Sequence, residues 1–101
     1  MRPGQEPIEA LLAAARRDYA ASVAGKVAHL EGLIAQAAWG EARRAAHKLR
    51  GSAATYGFVA LGAAAGAIED VLLAAEGEPV ALAPLLLDLA TEATRAAGGA
   101  A

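Results

Sequence analysis

Apolar residues recur every three or four positions along most of this chain, the spacing that lines one face of an α-helix. Ile8, Leu11, Leu12 and Ala15 open the pattern, and Tyr19, Val23, Val27, Leu30 and Ile34 continue it to about Gln36. The stripe leaves open whether residues 8–36 form one helix or two. A further helix starts near Trp39 and Gly40, with Ala42, Ala45, Ala46, Leu49, Ala53 and Tyr56 on its apolar face. Gly57 is its expected stop, because glycine takes the left-handed conformation at little cost. The next helix carries Leu61, Ala64, Ala65, Ile68, Leu72 and Ala75 and is expected to end at Gly77. The last carries Leu82, Leu85, Leu86, Leu89 and Ala93, with Pro84 confined to its first turn because proline has no amide for the ladder. No segment alternates with period two, so no strand is expected. Short connections between amphipathic helices predict an all-α fold. The expected form is an antiparallel up-down four-helix bundle with a short extra N-terminal helix or helical extension.

Composition narrows this picture. The chain has 101 residues, enough for a single domain, with an ordered core expected over residues 8–97 and frayed ends outside it. Hydrophobic residues make up 56%, too many for a disordered chain, and much of that is alanine, so closely packed helices are expected. A net charge of -2 argues against nucleic-acid binding. The absence of cysteine excludes disulfides and thiol nucleophiles. Charges and prolines interrupt each apolar stretch before it could span a membrane, and the N-terminus carries no apolar signal region. A cytoplasmic monomer is the resulting expectation.

The chemistry concentrates in residues 46–57, Ala-His-Lys-Leu-Arg-Gly-Ser-Ala-Ala-Thr-Tyr-Gly. On a helix, His47 falls off the apolar stripe. Its neighbours one turn away are Arg43, Arg44, Arg50 and Gly51, with Ala54 a turn further on. An imidazole is partly neutral near pH 7, since its ordinary pKa is about 6.5, and its free ring nitrogen is then a nucleophile. Arg50 and Lys48 can stabilise phosphoryl oxygens through charge-assisted hydrogen bonds. Glycine in a helix costs about 1 kcal/mol relative to alanine, so Gly51 suggests a place where a partner's backbone comes close. His29 lies off its own stripe, has no such surroundings and reads as a solvated surface residue. Ser52 reads as a hydrogen-bonding residue, and Gly62 and Gly66 as packing positions. The two histidines are too far apart for a metal pair and no carboxylates cluster with them, so no metal site is expected.

The stretch resembles the signature of histidine-phosphotransfer (HPt) domains, roughly A-H-x-L-K-G-S-x-x-x-x-G with a later leucine and glutamate. Ala46, His47, Leu49, Gly51, Ser52, Gly57, Leu61 and Glu69 match, and Trp39 falls where such domains often carry an aromatic. Arg50 replaces the usual lysine, and Ala38 stands where an acidic helix cap is common. The resemblance covers about residues 8–97. It implies a phosphorelay carrier whose His47 accepts a phosphoryl group from a receiver-domain aspartyl phosphate and passes it to another receiver aspartate. Nε2 is favoured as the ring atom farthest from the backbone. The implied partners are response-regulator receiver domains and a hybrid histidine kinase, met through Arg43, Arg44, Gly51 and Ala54. No cofactor is expected in this chain, and Mg²⁺ is expected in the receiver. Two alternatives are the phospho-accepting module of a larger chemotaxis-type histidine kinase and a non-catalytic helical adaptor. Autonomous ATP-dependent kinase activity is not expected.

Overall fold

A computed structural model describes residues 6–74 and 82–98. Four helices follow one another: α1 (Glu6–Ala35), α2 (Trp39–Thr55), α3 (Val59–Ala74) and α4 (Ala83–Gly98). Each packs against two others, α1 on α2, α2 on α3, α3 on α4 and α4 back on α1, and among the described residues there is no strand. This is an all-α four-helix bundle. The expected end of α3 around Ala75 and Gly77 lies outside the described residues.

The core is built from most of the stripe positions, although Tyr56, expected on the apolar face of α2, is exposed. Val23, Leu30, Leu61, Ile68 and Leu89 are its largest fully buried side chains, and Ala42, Ala46, Ala53 and Ala65 are fully enclosed between them. Alanine at the contacts lets backbones approach. The α2–α3 pair goes furthest, because Gly62 has no Cβ: one built there would lie 3.2 Å from the Arg50 carbonyl oxygen and 3.6 Å from the Ala54 nitrogen. Gly62 thus brings α3 against the backbone of the helix that carries His47. Pro84 is the second residue of α4, where an amide would have no helical acceptor anyway.

The N-terminus takes the form of a helical extension. The residues between 8 and 35 form a single helix, and its first turns project past the bundle. Pro7 to Ala13 are all exposed, including Ile8, Leu11 and Leu12, which recur at helical spacing but meet no neighbouring helix. The reason is length: 30 residues of α1 reach about 45 Å at about 1.5 Å per residue, whereas the 17 of α2 reach about 25 Å. Burial begins at Tyr19 and Ala20.

α1 and α2 end in the same way. The amides of Phe58 and Gly57 bond to the Ala53 and Ala54 carbonyls, and those of Ala38 and Ala37 bond to the Leu33 and Ile34 carbonyls. Each is a Schellman motif whose penultimate residue must be left-handed. Gly57 meets that demand at φ +84°, but the α1 motif places an alanine there, Ala37 at φ 56°. A left-handed non-glycine residue costs roughly 1–2 kcal/mol. Ala37→Gly is therefore expected to stabilise the protein by about 1 kcal/mol, read as a rise of roughly 4–8 °C in Tm. An unchanged or lower Tm would show that the turn carries no strain.

Candidate functional site

His47 lies in the middle of α2, on the side away from Ala46, Leu49 and Ala53, which α2 buries. Its side chain is 73% exposed. The ring is nevertheless held. Nδ1 lies 2.6 Å from Oε2 of Glu69, which comes from α3 and is itself buried. Arg50, one turn after His47, donates from Nη1 to the other carboxylate oxygen at 3.2 Å and lies 3.6 Å from Asp70. One buried carboxylate thus joins the histidine and the arginine, and the α2–α3 contact made possible by Gly62 supports it.

The protonation of this cluster follows from its contacts. Burial alone would push the Glu69 carboxyl up. Hydrogen bonds from His47 and Arg50, together with their charges, outweigh burial and hold it below its ordinary value of 4.5. Glu69 is then a carboxylate near neutral pH and can only accept hydrogen bonds. The proton in the 2.6 Å contact therefore belongs to Nδ1, which donates it. A neutral ring with its proton on Nδ1 keeps a lone pair on Nε2.

Most residues singled out from the sequence surround this centre. Lys48, Arg50, Gly51, Ala54 and Arg44 are exposed on α2, and Arg43 is half-buried. A Cβ at Gly51 would meet nothing within 4 Å, so the glycine does not relieve crowding inside the bundle. The Arg50 side chain lies against Glu69 of α3. Gly66 makes room for it, because a Cβ there would come within 3.0 Å of the arginine Nε. Ser52 shares a 2.6 Å hydrogen bond with the Tyr19 hydroxyl, and Tyr19 stacks on Tyr56 at 4.6 Å. This polar and aromatic contact fastens α1 to the end of α2. His29 is exposed on α1. Among the described residues, no group of three or more histidine, aspartate or glutamate side chains is placed to hold a metal ion, and no helix is long and apolar enough to cross a membrane.

The residue that sequence reasoning left out of the site is Glu69. It was legible as part of the HPt signature but carried no role. The available signal was an acid on a buried stripe, four residues after Ala65 and three before Leu72.

Comparison with protein families decides the class. The model of the Hpt domain matches residues 8–99, nearly the whole chain. The chain belongs to the Hpt domain family. It is a histidine-phosphotransfer module of the kind used in phosphorelays, a class whose members work with receiver domains and histidine kinases. Neither curated proteins nor solved structures gave a significant match. In this Hpt domain the exposed imidazole of His47 is oriented by the buried Glu69 of the neighbouring helix.

Proposed function

We propose that His47 is the phospho-accepting residue of a phosphorelay carrier, which takes a phosphoryl group from the aspartyl phosphate of one receiver domain and gives it to the aspartate of another. The observation that carries this reading is the Nδ1–Glu69 hydrogen bond, which leaves Nε2 as the exposed nucleophile. As the Nε2–P bond forms, the bond from phosphorus to the aspartyl oxygen breaks, and the carboxylate leaves with that electron pair. No proton has to move, because Nε2 carries none. The ring acquires positive charge in the process, and the ionised Glu69 beside Nδ1 is placed to stabilise it. Transfer to the second receiver reverses these steps. In this reading Arg50 holds Glu69 in place, Lys48 and Arg44 add positive charge near the phosphoryl group, and Arg43, Gly51 and Ala54 border the approach of the partner. The Mg²⁺ that assists the reaction belongs to the receiver.

The test uses two tubes. Pure protein with radiolabelled ATP and Mg²⁺ is expected to stay unlabelled, because autophosphorylation requires a nucleotide site with phosphate-binding loops or acidic metal ligands. The described residues form only the bundle. With phosphorylated receiver domains added, His47 is expected to acquire acid-labile, alkali-stable label. Label in the first tube would overturn the carrier reading, and none in the second across the organism's receivers would favour a non-catalytic adaptor.

Gly51 gives a second check. Because a Cβ there meets open space, Gly51→Ala is expected to stabilise the helix by up to about 1 kcal/mol. Gly51→Leu is expected to fold equally well yet slow transfer roughly tenfold or more, since small misplacements of the reacting groups are costly. Equal rates for wild type and Gly51→Leu would show that the glycine does not serve access.

A further inference from the structure

We propose that the groove between α1 and α2, next to His47, receives an acidic surface of the phosphoryl-exchanging partner and so sets the orientation in which that partner docks. The proposal rests on the reading of His47 as the phosphoryl carrier. The groove has a volume of about 390 Å³ and is lined by Lys26 and His29 from α1 and by Arg44 and Lys48 from α2, with Glu41 as its single acid. Among the described residues, Lys26, Arg44 and Lys48 have no carboxylate within 4 Å. Leu33 and Leu49 also line it and offer an apolar contact inside the charged rim.

The position of the groove relative to His47 follows from helix geometry. At about 100° per residue, Gly51, Arg44 and Lys48 fall on one side of His47, roughly 40°, 60° and 100° away. Arg50 falls on the other side, where Glu69 and Asp70 already oppose its charge. His47 thus stands on a ridge. Its α3 flank is neutralised by two carboxylates and its α1 flank is cationic. Gly51, with open space above it, lies on the cationic flank and leaves the way clear between groove and imidazole. The whole chain has a net charge of -2, so this is a local surplus and not a general property of the protein.

The partner's chemistry supplies the complement. A domain that carries an aspartyl phosphate and binds Mg²⁺ must gather oxygen ligands, chiefly carboxylates, around that site. When its phosphorylated aspartate meets Nε2, the acidic surroundings lie within reach of the groove. Complementary charge of this kind raises association rates and fixes orientation more than it raises intrinsic affinity, and salt screens it.

The experiment compares Lys26→Glu and His29→Glu with Arg17→Glu, an exposed α1 position outside the groove. Lys26→Glu and Arg17→Glu change the net charge equally. The first probe is the organism's receiver domain that transfers fastest to the wild-type protein. The second is phosphoramidate, a small donor that needs no docking and loses ammonia as the Nε2–P bond forms. Both groove variants are expected to lower kcat/KM for the receiver about tenfold or more at low salt, with the gap closing at high salt. Arg17→Glu is expected to match wild type, and phosphoramidate is expected to label all four proteins equally. Receiver transfer unchanged in both groove variants would overturn the proposal. So would an equal loss in Arg17→Glu, or a parallel loss with phosphoramidate. If no receiver labels the wild-type protein, the carrier reading itself falls, and this proposal with it.

Discussion

Replacing His47 by Gln is expected to reduce phosphoryl acceptance, from receivers and from phosphoramidate alike, to background. The side chain is largely exposed and its ring supplies the only nucleophile that Glu69 orients. Glutamine has a similar reach, so its amide can still donate to Glu69, but its nitrogen offers no lone pair for attack. The fold has little to lose, because the substitution removes no core contact. Stability is expected to stay within about 1 kcal/mol of wild type. Helicity by circular dichroism and a melt check that part, and acid-labile label checks the other. Undiminished labelling of the variant would refute the assignment and turn attention to His29.

The second large effect belongs to Glu69→Leu, which separates function from stability. Replacing a buried ionic group by an apolar residue of similar size is often neutral or stabilising, and here both of its partners remain in contact with solvent. The variant is therefore expected to melt no lower than wild type. Transfer is expected to fall on the order of 10- to 100-fold, because the groups that orient a reactive imidazole contribute at that level or above. A ¹⁵N spectrum of the His47 ring supplies a readout that a purely structural role would not move: the Nδ1–H form dominates in wild type and gives way in the variant. Acid titration adds another. The Glu69 pKa is lower in the folded state than in the unfolded one, so between the two values the folded protein binds fewer protons and stability rises with pH. The contribution is fully present above about 4.5 and is lost as pH falls through the depressed folded value. Glu69→Leu is expected to lack this component of acid destabilisation. Transfer at the wild-type rate would remove Glu69 from the mechanism.

The sequence carried the α2 region almost in full. The stripe of Ala42, Ala46, Leu49 and Ala53 fixes which face is buried, so His47 has to point outward, and Gly57 marks the stop by the only backbone geometry that ends the helix there cheaply. Two features were harder to read. Helical spacing shows which face of a segment would be buried, but not whether another helix is present to cover it. Ile8, Leu11 and Leu12 satisfy the spacing and still face solvent. Glu69 was hidden for the opposite reason. An acid between Ile68 and Leu72 reads as an interruption of the stripe, and only the approach of α2 through Gly62 turns it into the second half of the site. The contacts of Arg50 were likewise out of reach, since wheel geometry gives its direction from the axis but not the carboxylates on the neighbouring helix.

The projecting turns of α1 give the molecule a gradient of local stability. A helix segment of this length is marginal on its own in water, and Pro7 to Ala13 are held in register only by the helix that continues from them. Opening of these turns costs far less free energy than global unfolding, and the packing of α1 on the rest of the bundle begins with Arg16, over the Phe58 ring at 4.4 Å, and Tyr19, bonded to Ser52. Opening on one side of that clamp leaves the other undisturbed. The first turns of α1 can therefore melt and refold while the imidazole of His47 keeps its aim.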